Sequence, residues 1–390
     1  MKRLKKIVFA ILRPIVFAPL VLALFIMSRF KGVRRYKGAT EKTNTWYKLF
    51  PEGARCSDGS RLPVYLKRGK SNKLLVFFSG GGASWCEETA QPAGILTLLF
   101  GVQTYYASKV MPVLELTLSG ILAGEDSRNP FNDWNCLYIP YATGDFHMGN
   151  NDFPYTSRFG NPKLLRHCGE RNARLAMDIC RTLFPNPEAL LIAGESAGAF
   201  AAVGNAPLVA GYYPGCADVT VYADSAQIVS PVLHGVVREV WKIDEKAADY
   251  VDTQGDLLFN YAQYAAAVLG ERAVFLRFNT IYDGELVPYQ NKINNGQYTS
   301  TPEAIETYFQ DLKASETRFA ESGLPIYSFV SAHGKNKSGL TQHTAVRGKS
   351  YYSDEVVPMP LVQWLDAAVN QKKYENIGAE YLRCGEGEDI

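Results

Sequence analysis

Ala189-Leu190-Leu191-Ile192-Ala193, running directly into Gly194-Glu195-Ser196-Ala197-Gly198, is the stretch that decides the fold. Five apolar residues in a row read as a strand covered on both faces. The small residues that follow, Ala197 to Ala202, read as the start of an Ala-rich helix. A serine with glycines two positions to either side, on a sharp strand-to-helix turn, matches the G-x-S-x-G nucleophile elbow. Bulky neighbours would clash in such a turn, which is why glycine stands at both flanks. Ser196 is therefore the candidate nucleophile; the competing reading is a tight turn with an incidental serine.

Working outward, the same type of run recurs. Leu74 to Phe78 (LLVFF), Cys136 to Tyr141 (CLYIPY), Val219 to Ala223 (VTVYA), Ala273 to Phe278 (AVFLRF) and Pro325 to Val330 (PIYSFV) all read as strands. Between them, Glu170–Phe184, Thr301–Ala320 and Pro360–Val369 carry helical spacing. Strands alternating with helices predict an α/β fold with a mostly parallel central sheet flanked by helices. The expected organisation is an N-terminal hydrophobic helix over residues 1–28, a basic linker over 29–44, and one catalytic domain over 45–390.

A serine nucleophile needs donors for the developing oxyanion and a base held by an acid. One donor is the N–H after the serine, here Ala197. Another is expected in the glycine run Gly80-Gly81-Gly82-Ala83 that follows LLVFF, and Gly82 and Ala83 are the candidates within an open register. The acid and base follow the serine in chain order. Asp283, after AVFLRF, is the candidate acid and Asp224, after VTVYA, its rival. His333 and His343 both lie beyond the last strand, and the residues alone leave the base open between them.

Composition narrows the partners. With 41 Lys and Arg against 39 Asp and Glu the net charge is +2, which argues against a chain built to bind nucleic acid. Seven cysteines without a CxxC pair, and five histidines without HExxH spacing, predict no zinc site. Lys2, Arg3, Lys5 and Lys6 precede an apolar run from Ile7 to Met27, broken only by Arg13, Pro14 and Pro19. Read as a helix, it spans roughly 30 Å, the thickness of a bilayer core, so residues 7–27 are expected to anchor the chain in a membrane. A cleaved signal and an interfacial helix are the alternatives. Basic residues flank both ends, so charge does not orient the span.

Taken together, GGGASW at 80–85, NPFNDWNCLYIPYATGDFHMGN at 129–150, GESAG at 194–198, YDGELVPYQ at 282–290 and HTAV at 343–346 resemble the pectin acetylesterase/Notum family, in family order from about residue 45 to 370. The resemblance implies a single α/β-hydrolase domain and hydrolysis of carboxylic esters without a cofactor. It implies Ser196 as nucleophile, Asp283 as acid and His343 as base, with oxyanion donors around Gly82–Ala83 and at Ala197. Gly81, Trp85, Asp145, His147 and Glu195 become candidates for the substrate cleft. The loop between His333 and His343 is longer than the resemblance leads one to expect, which keeps His333 as an alternative base. Ser84 and Ala142 stand where bacterial members often carry cysteine, which implies a lost disulfide. The implied substrate is an acylated carbohydrate or another ester, and no oligomeric state follows; with the apolar run over residues 7–27, the expected location is a membrane-anchored chain with an extracytoplasmic catalytic domain.

Overall fold

The uniformly apolar runs pair with one another because each is buried on both faces and must find backbone partners on both edges. In the computed structural model, which describes residues 33–38, 42–92, 103–111, 114, 117–353 and 359–383, eleven strands are present among those residues. They are β1 (Arg34–Arg35), β2 (Trp46–Leu49), β3 (Val64–Lys67), β4 (Leu74–Phe78), β5 (Asn135–Ile139), β6 (Asn151–Thr156), β7 (Pro162–His167), β8 (Ala189–Glu195), β9 (Asp218–Asp224), β10 (Ala273–Thr280) and β11 (Ile326–Ser331). Nine form one sheet in the order β1-β2-β3-β5-β4-β8-β9-β10-β11. From β5 to β11 every neighbouring pair is parallel, while β3 runs antiparallel to both β2 and β5. This is the expected α/β architecture.

Side chains alternate across the sheet with period two. On one face Leu74, Val76, Phe78, Leu190 and Ile192 pack with Ala173, Ala176, Met177 and Cys180 of the helix Gly169–Leu183 and with the helix Ala197–Gly204. On the other, Leu75, Phe77, Ala189, Leu191 and Ala193 pack with Leu361, Trp364, Leu365 and Ala368 of the helix Leu361–Gln371. The sheet is thus sealed by helices on both sides.

Several elements carry weaker sequence signals. The β6–β7 hairpin stands apart as a two-stranded sheet with alternating exposure, and a proline in each strand interrupts any apolar run. Within the stretch read as a linker, Arg34–Arg35 pair in parallel with Tyr47 and Lys48 at the sheet edge. The apolar run over residues 7–27 lies outside the described residues. Among the described residues no helix is long and apolar enough to cross a membrane.

Strand order is what positions the site. β8 lies between β4 and β9, so the turn after β8 emerges with the loops after β4 and β9 on either side. Packing here is tight: a Cβ built on Gly198 would fall 2.1 Å from the carbonyl oxygen of Phe78 at the end of β4. That oxygen is sheet backbone and cannot move aside. Gly198→Ala is expected to destabilise the fold by about 1–3 kcal/mol through overpacking, read as a lower denaturation midpoint; an unchanged midpoint would contradict this packing.

Candidate active site

Ser196 ends β8 in a conformation that few L-residues adopt, with φ 54° and ψ −127°. Its N–H donates to the Asp224 carbonyl at 2.7 Å, and its own carbonyl accepts from Ala199 at 2.8 Å as the helix begins. The loop after β4 passes so close that a Cβ on Gly80 would lie 2.7 Å from Ser196 Cβ. The serine therefore stands on a strained turn held from three sides, at the floor of a cavity of about 580 Å³.

The same cavity is lined by Gly80, Gly81, Gly82, Ala197 and His343. The Ala197 N–H opens a helix, where the first N–H groups find no partner within the helix itself. Of the residues expected to supply the second oxyanion donor, Ala83 is ruled out, because its N–H donates to the Tyr105 carbonyl at 2.9 Å. Ala107 N–H in turn donates to the Gly81 carbonyl at 2.8 Å, so the strand-like pairing of the two loops leaves the Gly81 and Gly82 N–H groups unspent among the described residues. Of the two expected residues, Gly82 thus keeps its N–H available to a ligand, Gly81 joins it as a candidate, and Ala83 does not.

The candidate acid and base meet through an interlocked pair of loops. Asp283, fully buried, fixes one carboxylate oxygen with N–H bonds from Glu285 and Leu286, each 2.9 Å. Its other oxygen accepts from His343 Nδ1 at 2.8 Å. Thr341 N–H donates to the Tyr282 carbonyl at 2.9 Å, Gly284 N–H to the Thr341 carbonyl at 3.0 Å, and Thr280 Oγ1 to the Gln342 carbonyl at 2.8 Å. With Nδ1 committed to Asp283, Nε2 is the nitrogen left for the serine. Burial pulls the proton affinity of His343 down, but the charge and hydrogen bond of Asp283 outweigh it, and the net shift is upward from 6.5. Among the described residues no hydrogen bond joins Ser196 Oγ to the ring; such contacts are often long in unliganded sites.

The rival residues do other work. Asp224 does not touch the imidazole: its Oδ2 accepts from the Ala345 and Val346 N–H groups at 2.8 and 2.6 Å. Burial pushes its carboxyl up to about 7, against the lowering effect of those two bonds. His333 is buried outside the cavity lining, its N–H on Ser331 Oγ at 3.0 Å and its carbonyl accepting from Gln342.

Asp145 and His147, expected to shape the cleft, lie behind it. Asp145 accepts from Thr143 Oγ1 at 2.5 Å, from His147 N–H at 3.1 Å, and from Gly169 N–H at 2.8 Å at the start of a helix. Burial raises its carboxyl to about 6. His147 Nε2 donates to the Ser79 carbonyl at 2.9 Å, supporting the glycine loop from beneath, and burial lowers its pKa to about 4. Trp85 is also one layer back, edge-on to Tyr105 and tilted against Tyr289, which do line the cavity. Gly81 and Glu195 are lining residues as expected. Glu195 is spoken for: Arg347 Nε donates to its Oε2 at 2.8 Å and Nη2 to Oε1, joining the elbow to the His343 loop.

Sequence reasoning passed over Tyr105, Tyr289, Tyr298, Phe146, Phe200 and Arg347, all in the wall. Tyr289 sits inside the YDGELVPYQ motif, Phe146 inside the 129–150 block, Phe200 on the helix that follows GESAG, and Arg347 directly after HTAV, so all four lie in or beside readable motifs. Tyr105 and Tyr298 come from loops with no fixed spacing.

A serine on a strained elbow, between two loops at the carboxyl edge of a mostly parallel sheet, defines an α/β-hydrolase fold. The pectinacetylesterase family profile matches residues 41–231, a span that contains the glycine loop and the elbow but ends before Asp283 and His343. Pectin acetylesterase 7 of Arabidopsis thaliana is 28% identical over 183 residues, 46% of this chain and 44% of that protein. The palmitoleoyl-protein carboxylesterase NOTUM of Schmidtea mediterranea is 32% identical over 109 residues, 26% of this chain and 19% of the relative. The palmitoleoyl-protein carboxylesterase notum1 of Xenopus laevis is 29% identical over 170 residues, 42% and 31%. The matched segments thus span less than half the length of these curated relatives. Over residues 41–231, just under half of its length, the chain is similar to the pectinacetylesterase family, and its curated relatives include Notum esterases.

Which histidine serves Ser196 is open to direct chemical test. A fluorophosphonate probe is expected to label Ser196 in the wild type and in His333→Ala, and to fail in His343→Ala. Labelling lost in His333→Ala and kept in His343→Ala would reverse the assignment.

Proposed function

We propose that this chain is a serine carboxylic ester hydrolase that removes acyl groups, acetyl first among them, from a carbohydrate. The observation that carries the reading is the 2.8 Å bond between His343 Nδ1 and buried Asp283, set in the cavity that holds the elbow serine. His343 Nε2 takes the Ser196 proton as Oγ attacks the ester carbonyl, and Asp283 stabilises the imidazolium that forms. The oxyanion of the tetrahedral intermediate accepts from Ala197 N–H and from the Gly81–Gly82 run. His343 then gives its proton to the departing alcohol, and water, deprotonated by the same ring, releases the acid from the acyl-enzyme. The names of the curated relatives agree with ester chemistry at this site.

A second reading, a lipid or protein deacylase, is favoured by the apolar part of the wall, where Phe146, Phe200, Ile228 and Leu286 offer a surface for a longer acyl chain. A series of nitrophenyl esters separates the two: a steep preference for acetate supports the first, a preference for octanoate the second. A binding module without turnover is the third reading. Against it, Ser196→Ala is expected to lower ester hydrolysis at least about 10³-fold with the fold intact. A variant keeping a tenth of the wild-type rate would remove Ser196 from the chemistry.

We also propose that residues 7–27 anchor the protein in a membrane, on the strength of their length and apolarity alone. Full-length protein is expected in the membrane fraction and resistant to carbonate extraction. Recovery of the intact chain in the soluble fraction would overturn the anchor.

A further inference from the structure

The end of β9 carries a buried carboxylate that the proposed chemistry does not use. Asp224 has no exposed surface, and its Oδ2 takes N–H bonds from both Ala345 and Val346. Its Oδ1 accepts from Ser225 Oγ at 3.1 Å, and that hydroxyl oxygen accepts from Thr344 N–H at 3.0 Å. Three consecutive N–H groups, those directly after His343, are therefore held by one carboxylate and the serine beside it. Ser225 and Thr344 both sit in left-handed backbone, φ 60° and 59°, which non-glycine residues keep only where their surroundings hold them. The Asp224 main chain acts on the other side of the site, its carbonyl accepting the Ser196 N–H at 2.7 Å. One residue thus grips the nucleophile's backbone with its carbonyl and the base's loop with its side chain.

We propose that Asp224, assisted by Ser225, is a positioning residue that sets the placement of His343 against Ser196. The proposal rests on the ester-hydrolase reading of the same site. Two effects are separable. The tether is geometric: a displacement of about 1 Å between reacting groups costs on the order of 10²-fold in rate. The charge is electrostatic: Asp283, Asp224 and Glu285 are the acids that face the imidazole and favour its protonated form. Asp283 touches the ring, whereas Asp224 acts from beneath the loop.

Two substitutions divide these effects. In Asp224→Asn the amide oxygen can replace Oδ2, keeping the Ala345 and Val346 bonds while Nδ2 faces Ser225 Oγ; the tether stays and the charge goes. Asp224→Ala removes both. The asparagine variant is expected to lose less than about tenfold in kcat while its His343 titrates at lower pH than in the wild type. The alanine variant is expected to lose about 10²-fold in kcat with KM changed less than about twofold. Ser225→Ala, which cuts the Thr344 link and the hydroxyl bond to Asp224 Oδ1 but keeps the Ala345 and Val346 bonds, is expected to fall between them.

His343 is followed by NMR of ring-labelled histidine, assigned with His343→Ala, so the charge effect is read without turnover. If the wild type hydrolyses no ester, the functional reading fails while the His343 shift still decides whether Asp224 acts on the ring. If the wild type is active, but Asp224→Asn leaves the His343 titration unmoved and Asp224→Ala keeps wild-type kcat, the positioning role is overturned and the reading survives. Should the alanine variant not fold, Asp224→Asn and Ser225→Ala decide: wild-type kcat in both, with an unmoved titration, overturns the proposal.

Discussion

Ser196 keeps its reversed backbone because three neighbouring segments leave it no room to relax. The Asp224 carbonyl holds its N–H, the β4 loop crowds it through Gly80, and the helix that follows is locked to the end of β4 where only glycine fits at position 198. None of these contacts is available unless β8 lies between β4 and β9. The rest of the site is built on that arrangement. The glycine loop can present N–H groups to the serine because it follows one neighbouring strand. Asp283 and His343 can approach it because their loops follow β10 and β11 on the same edge.

Buried carboxylates carry much of the organisation. Asp145, Asp224 and Asp283 have no exposed surface, and each spends its oxygens on N–H or O–H donors from loops that would otherwise be free. Burying such a group is costly unless hydrogen bonds compensate it. Asp145 and Asp224 show that compensation is incomplete, since burial still raises both carboxyls, to about 6 and about 7. Their distribution is informative: one supports the glycine loop and the start of a helix, one holds the base loop, and one orients the base. At Asp145 and Asp224 the incompletely compensated burial is set against the loop geometry that their hydrogen bonds fix.

Much of this was legible in the sequence where one physical cause dominated. A strand buried on both faces must be apolar throughout, so LLVFF and ALLIA announced themselves, and the elbow followed from two glycines that steric crowding requires. That a carboxylate and a histidine would follow Ser196 on loops after later strands was readable from topology, whereas the choice of His343 over His333 came only with the resemblance. Where several causes compete, reading failed. The register of the oxyanion donors depends on which N–H the Tyr105 carbonyl captures, and that partner lies 22 residues downstream of Ala83 on a separate loop. Asp224 looked like an acid for the base because a carboxylate after a strand suits either role; only the direction of its hydrogen bonds separates them. Asp145 and His147 stood in the most distinctive motif and proved to be scaffold. Distinctive sequence marks constraint, and packing imposes constraint as firmly as chemistry does.

The central claim is that Ser196, His343, Ala197 and the Gly81–Gly82 run converge on one reacting centre. A crystal structure of the protein after reaction with a small phosphonate ester tests it most directly, because the phosphonyl group mimics the tetrahedral intermediate. The account predicts a covalent bond to Ser196 Oγ and one phosphonyl oxygen accepting from Ala197 N–H and a glycine N–H. It also predicts His343 Nε2 within about 3.2 Å of the serine oxygen or the departing position. An adduct on another residue, or one on Ser196 whose oxygen points away from both N–H groups, would contradict it.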